Sequence, residues 1–193
     1  MKSVNWADVV PADSEKENKE FEKITPGGYI CCIKKVEDNE EYESLKIIMD
    51  IEEGEHANFG DRTYDATGYD FGYLKANRKY ADSWQKSFKA FLVALEESNR
   101  RFYADKFTND PKKLEGLLIG AVVGEEEYAG IDKATGKYVK KIRPRVASLV
   151  SIDKIEKGDF KIPELKPMSD YYKQKMEEDF AGGPTTGNDD LPF

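Results

Sequence analysis

Lys137, Lys140, Lys141, Arg143 and Arg145 crowd into one short stretch, and from Lys133 to Arg145 there are six Lys and Arg and no acid. If the stretch is extended, alternate side chains project to one side at a spacing of about 6.5–7 Å, close to the phosphate spacing of a stretched nucleic-acid chain. Lys137, Lys141, Arg143 and Arg145 then form a positive face, while Tyr138, Ile142 and Val146 form an apolar face that can turn inward. Pro144 cannot donate to a central ladder and places the strand at a sheet edge or end. The plain alternative is a solvated strand face, the ordinary setting of Lys and Arg.

Aromatic rings accompany other cations. Tyr64, Tyr69, Phe71 and Tyr73 are interleaved with Arg62, Lys75, Arg78 and Lys79. Phe102, Tyr103 and Phe107 stand among Arg100, Arg101 and Lys106, and Tyr128 and Tyr138 flank the turn between the last two extended runs. An exposed ring stacks on any base for ~1–3 kcal/mol while nearby cations hold the backbone. Core packing is the competing explanation for such rings. The candidate nucleic-acid contacts are Arg62, Tyr64, Tyr69, Phe71, Tyr73, Arg78, Lys79, Tyr128, Lys137, Tyr138, Lys140, Lys141, Arg143 and Arg145.

Catalytic chemistry has little material here. His56 is the single histidine, in a loop rich in Gly, Glu and Asn, and no Ser or Cys beside it has a nucleophile pattern. No Cys/His spacing suits zinc. Glu125, Glu126 and Glu127 are consecutive on a strand, so they cannot all face one metal, and a solvated strand end is expected for them. The expectation is a protein that is not an enzyme and takes no metal or cofactor. Cys31 and Cys32 point to opposite faces if extended, which strains any bond between them. Two free thiols in a reducing cytoplasm follow. The longest apolar run, Leu117 to Val123, is too short to cross a bilayer, and no export signal opens the chain.

These side chains need a frame. The 193 residues suit one domain with tails. Residues 1–23 read as a mobile arm anchored by Trp6, and "TPGGY" turns into the first element. Tyr29 to Val36 reads as a strand, and Leu45, Ile47, Met49 and Ile51 share one face of a second. A third is expected near Arg62 to Tyr69. Trp84, Phe88, Phe91, Leu92 and Leu95 form one stripe of a helix from Asp82 to Glu97, with Asp82 as its cap. After a basic, aromatic connector, 117–130 and 137–150 read as two more strands, joined by "GIDKATG". Three strands, a helix and two strands is the order of a mainly β, five-stranded OB-fold-like Greek-key barrel, assigned here to residues 24–166. Residues 167–181 hold a short helix, and 182–193 are expected to be a disordered acidic tail.

The net charge of −8 argues against a simple basic nucleic-acid binder, but the charge is segregated. Glu177 to Asp190 holds five acids and no base, and the sequence stops on "NDDLPF". Asp189, Asp190, Leu191, Pro192 and Phe193 resemble the acidic tip of bacterial and phage single-stranded-DNA-binding proteins. The front half, through "NW", "ITPGGYICCIKKVE", "LKIIMDIEEGEHANFGDRTY" and "LLIGAVVGEEEY", is similar to a family of phage early-region single-stranded-DNA-binding proteins. The resemblance implies an OB-fold that coats single-stranded DNA during phage replication or recombination, in the cytoplasm of a bacterial host. It further implies a tip that recruits replication and recombination proteins, with those five residues as the partner-binding set. The connector from Asn99 to Lys113 is long and the tail short, so a homodimer is expected in place of the bacterial tetramer. Two other readings stay open: an acidic interaction adaptor that does not touch DNA, and a strand-annealing recombination protein.

Overall fold

The structure, a computed structural model, describes residues 24–39, 41, 44–67, 71–72, 74–77, 81–132 and 134–181. Long antiparallel strands dominate: β1 (Gly27–Asn39), β2 (Ser44–Ile51), β3 (Leu74–Asn77), β4 (Leu118–Ile131) and β5 (Tyr138–Val150). They lie in the order β3-β2-β1-β4-β5, and every pairing is antiparallel. The helices are α1 (Phe59–Thr67), α2 (Ala81–Ser98), α3 (Ile152–Glu156) and α4 (Asp170–Ala181).

The period-two pattern of β2 does what it promised. Leu45, Ile47, Met49 and Ile51 are each 1–2% exposed and pair across β1 with Asp38, Val36, Ile33 and Cys31. Full burial of each such side chain contributes ~1.5–3 kcal/mol. A bulge between Ile33 and Lys35 lets Lys34 and Lys35 precede Val36 without moving Val36 out of the core. Cys31 is buried and Cys32 half-buried on the opposite face, both as free thiols. Burial, with the Asp50 charge beside it, pushes the Cys31 thiol up to about 12. Cys32 is also raised, by burial first.

The helix stripe also holds, with Phe91, Leu92 and Leu95 buried against the sheet. Trp84 stacks on Phe88 with ring centroids 4.9 Å apart. α2 begins at Ala81, so Asp82 lies inside the first turn and not at the cap. The basic, aromatic connector and the residues after it are docked on the sheet. Gly116 N–H donates to Ile33 O, Val36 N–H to the Glu115 carboxylate, and the Asn99 amide clasps Leu118 through both its N–H and its C=O.

One element is a correction. Residues 62–67, expected in a third strand, belong to α1, and β3 begins at Leu74. The cause is the Asp50 carboxylate on β2, buried at 1% exposure. It accepts from Gly60 N–H at 2.6 Å and Asp61 N–H at 3.0 Å, which satisfies the open donors of the helix start. Asn58 supports the entry with a left-handed φ of 58°. Such a cap arrives from ten residues away, so local alternation cannot reveal it.

Candidate nucleic-acid interface

The basic stretch sits on β5, which pairs with β4 far beyond the reach of β1. β1 stops opposite Val123, whereas β5 follows β4 out to Ile131. The remainder is a two-stranded ribbon, turned by the Asp132–Gly136 loop, where Gly136 adopts φ 68° and donates to Asp132 O. Register assigns the faces. Lys141 stands opposite Tyr128, Arg143 opposite Glu126, and Arg145 opposite Gly124, all on one side. Lys140, Ile142 and Pro144 lie on the other, opposite Ala129, Glu127 and Glu125.

Expectation and geometry part company at four points. Lys141, Arg143 and Arg145 do share a face, but Lys137 precedes the strand and belongs to the turn. Val146 packs on the core, whereas Ile142 is 54% exposed, because the ribbon has left the part of the sheet that covers the core by that point. Phe71, a candidate stacking ring, is 7% exposed and meets Phe59 edge-on at 5.1 Å, so it serves the core. Arg62 and Tyr64 stand two residues apart on α1 and therefore diverge, with Arg62 Nη1 folded back onto Ala57 O at 2.6 Å. Tyr69, Tyr73, Arg78, Lys79 and the partner-binding set Asp189, Asp190, Leu191, Pro192 and Phe193 lie outside the described residues.

The acidic triplet is the second correction. Glu126 and Glu127 are not a solvated strand end, since their side chains are only 16% exposed. Glu126 Oε1 accepts from Arg143 Nε at 2.9 Å and lies 2.8 Å from Nη2, and Lys166 Nζ stands 3.4 Å from Oε2. Burial pushes this carboxyl up, but the Arg143 hydrogen bond and charge, with Lys166, outweigh it and hold it below the ordinary value. Glu127 is lowered as well, first by the Lys140 hydrogen bond at 2.9 Å and then by Met168 N–H at 3.2 Å.

These contacts fasten a C-terminal strap, residues 157–168, along β4. Lys166 N–H donates to Glu125 O and Glu127 N–H to Lys166 O, which fills the β4 edge beyond the end of β1. On the ribbon face, Arg143 Cζ also lies 5.0 Å from the Tyr128 ring centroid, a cation–π contact. Tyr128 and Tyr138 are half-buried and Lys141 is exposed, its Nζ donating to Ile131 O at 3.2 Å. Arg145 is half-buried, and its Nε has no hydrogen-bond partner among the described residues. The arrangement presents cations and a ring on one face, with the Glu126 carboxylate competing for part of that charge.

Sequence reasoning missed a concavity away from the ribbon. A cavity of about 400 Å³ lies beside α1, lined by Lys34, Lys35, Lys46, Ile48 and Tyr64 among others. Tyr64 there is 52% exposed. Lys35 and Lys46 both approach Glu37, at 2.6 and 3.8 Å. The adjacent lysines in a bulged strand are the one local signal for it. In the connector, Tyr103 is 51% exposed under Lys106 Nζ at 4.5 Å, while Phe102 and Phe107 turn toward Phe88 and the core. Among the described residues no cluster of His, Cys, Asp or Glu could hold a metal ion, and no helix is long and apolar enough to cross a membrane. No known protein-family description matches the chain, and no characterised protein matches it in sequence.

Proposed function

We propose that this chain binds single-stranded DNA without regard to sequence. The observation that carries the reading is the ribbon face on which Tyr128, Lys141, Arg143 and Arg145 stand together beyond the core. Cations at strand spacing suit a row of phosphates, and a ring among them suits an unpaired base. The strand order supports an OB-fold barrel as the frame. With α2 between β3 and β4, the order β3-β2-β1-β4-β5 is that of a Greek-key barrel cut open between β3 and β5. The two sides also approach each other: a Cβ built on Gly72 would lie 2.8 Å from Met49 on β2 and 3.4 Å from Val146 on β5. In this reading the protein coats unpaired strands in replication or recombination in a bacterial cytoplasm. The acidic segment Asp189-Asp190-Leu191-Pro192-Phe193 then docks a helper protein, with an apolar ring for a pocket and carboxylates for its rim.

One observation favours a second reading, an acidic adaptor that does not touch DNA. Glu126 and Glu127 already engage Arg143, Lys140 and Lys166, which reduces the positive charge the ribbon can offer. An electrophoretic mobility shift with labelled oligo-dT and with a duplex of equal length separates the two. Retention of oligo-dT in preference to duplex is expected. Binding to neither, even at low salt, overturns the single-strand reading and leaves the adaptor.

A further inference from the structure

The first turn of α4 carries two neighbouring rings that the core does not use. Tyr171 is 59% exposed and Tyr172 44% exposed. Their centroids are 5.2 Å apart with planes at 74°, so the two rings offer faces in different directions. Among the described residues neither hydroxyl has a hydrogen-bond partner, so no polar contact accounts for their position. Leaving two large rings half in water, side by side, forgoes burial that a helix surface normally gains from polar residues.

One lysine of the same helix reaches the first ring. Lys175 Nζ lies 5.4 Å from the Tyr171 ring centroid. Lys173 pairs with Asp170 at 2.9 Å, and its charge also reaches Glu127. The helix itself is fixed to the ribbon, since Met168, buried at 6% exposure just before it, donates its N–H to Glu127, and α4 touches both β4 and β5. Two exposed rings thus stand on a helix that is docked on β4 and β5 and whose first half carries two lysines.

We propose that Tyr171 and Tyr172 form a stacking platform for unpaired bases, extending the nucleic-acid interface from the ribbon onto α4. The inference rests on the single-strand reading above and adds to it a site of different character. The sequence of α4 carries four acids, Asp170, Glu177, Glu178 and Asp179, against Lys173 and Lys175, so the rings, and not net charge, supply the attraction here. Stacking needs bases and is insensitive to salt, whereas phosphate contacts need neither base nor ring.

The experiment uses the full chain with Tyr171→Ala and Tyr172→Ala together, titrated against oligo-dT and against an abasic deoxyribose-phosphate oligomer of equal length. Both rings are exposed, so the variant keeps its fold. Affinity for oligo-dT should fall about tenfold or more. Affinity for the abasic oligomer and the salt dependence of oligo-dT binding should stay unchanged. Tyr171→Trp with Tyr172→Trp should restore oligo-dT binding. An unchanged oligo-dT affinity in the alanine variant, or an equal loss on the abasic oligomer, overturns the platform while the ribbon reading stands. Failure of the unsubstituted chain to bind oligo-dT overturns both.

Discussion

At the scale of single residues, the decisive pair is Glu126 and Glu127. Both carboxyls are held below their ordinary values, so each contributes stability where the unfolded chain would begin to take up a proton. That contribution is complete above the unfolded value of about 4.3 and is lost as pH falls through the lower folded values. Exchange of the Glu127 and Lys166 amides, corrected for the intrinsic rate at each pH, should therefore stay slow down to about pH 4 and accelerate below it. Uniform protection to much lower pH would mean that the strap is held by its backbone bonds alone. The same residues show why the candidate site was only partly legible. The cationic run was visible because its spacing is local. Its neutralisation was not, since it depends on β4 partners seventeen and thirteen residues away and on Lys166.

At the scale of elements, the strap and α3 lie against glycines. A Cβ on Gly120 would stand 2.5 Å from Ile155 Cγ1 and 2.9 Å from the Ser151 and Val150 carbonyl oxygens, and one on Gly124 would stand 2.6 Å from Pro163 Cγ. The space at Gly120 is bounded partly by backbone, which yields poorly. Gly120→Ala should therefore cost ~1–3 kcal/mol in urea denaturation, with α3 displaced from β4. A stability within ~0.5 kcal/mol of the unsubstituted chain would show that α3 is loosely seated. Strands with strict alternation or a continuous apolar run were readable in the sequence, as was α2 with its stripe. α1 was not, because its cap comes from Asp50 on another strand. α3 was not, because five residues are too few for a period to declare itself.

At the scale of the whole molecule, a net charge of −8 coexists with a local positive face. Affinity for a single strand should then depend on salt through the few cations that reach phosphates, with a slope of about −0.7 per contact. Replacing Lys141 and Arg145 by Ala should flatten that slope by ~1.4, in a titration of oligo-dT from 50 to 300 mM salt. Arg143 is a poorer choice for the experiment, because its removal also takes the shorter of two ion pairs from the half-buried Glu126 carboxylate. A slope that does not move would assign the phosphate contacts elsewhere, with Lys34, Lys35 and Lys46 around the α1 cavity next in line.

The neighbouring cysteines make the molecule its own instrument. Only two thiols exist, one sealed in the core and one partly open on the outer side of β1, two residues before Lys34. A maleimide fluorophore should attach once to the native chain, at Cys32, and twice after denaturation, as counted by mass spectrometry. The dye would then sit on the strand whose next residues floor the α1 cavity, and its emission would report occupancy there without any engineered position. Double attachment under native conditions would reveal that β1 opens far more readily than its burial suggests.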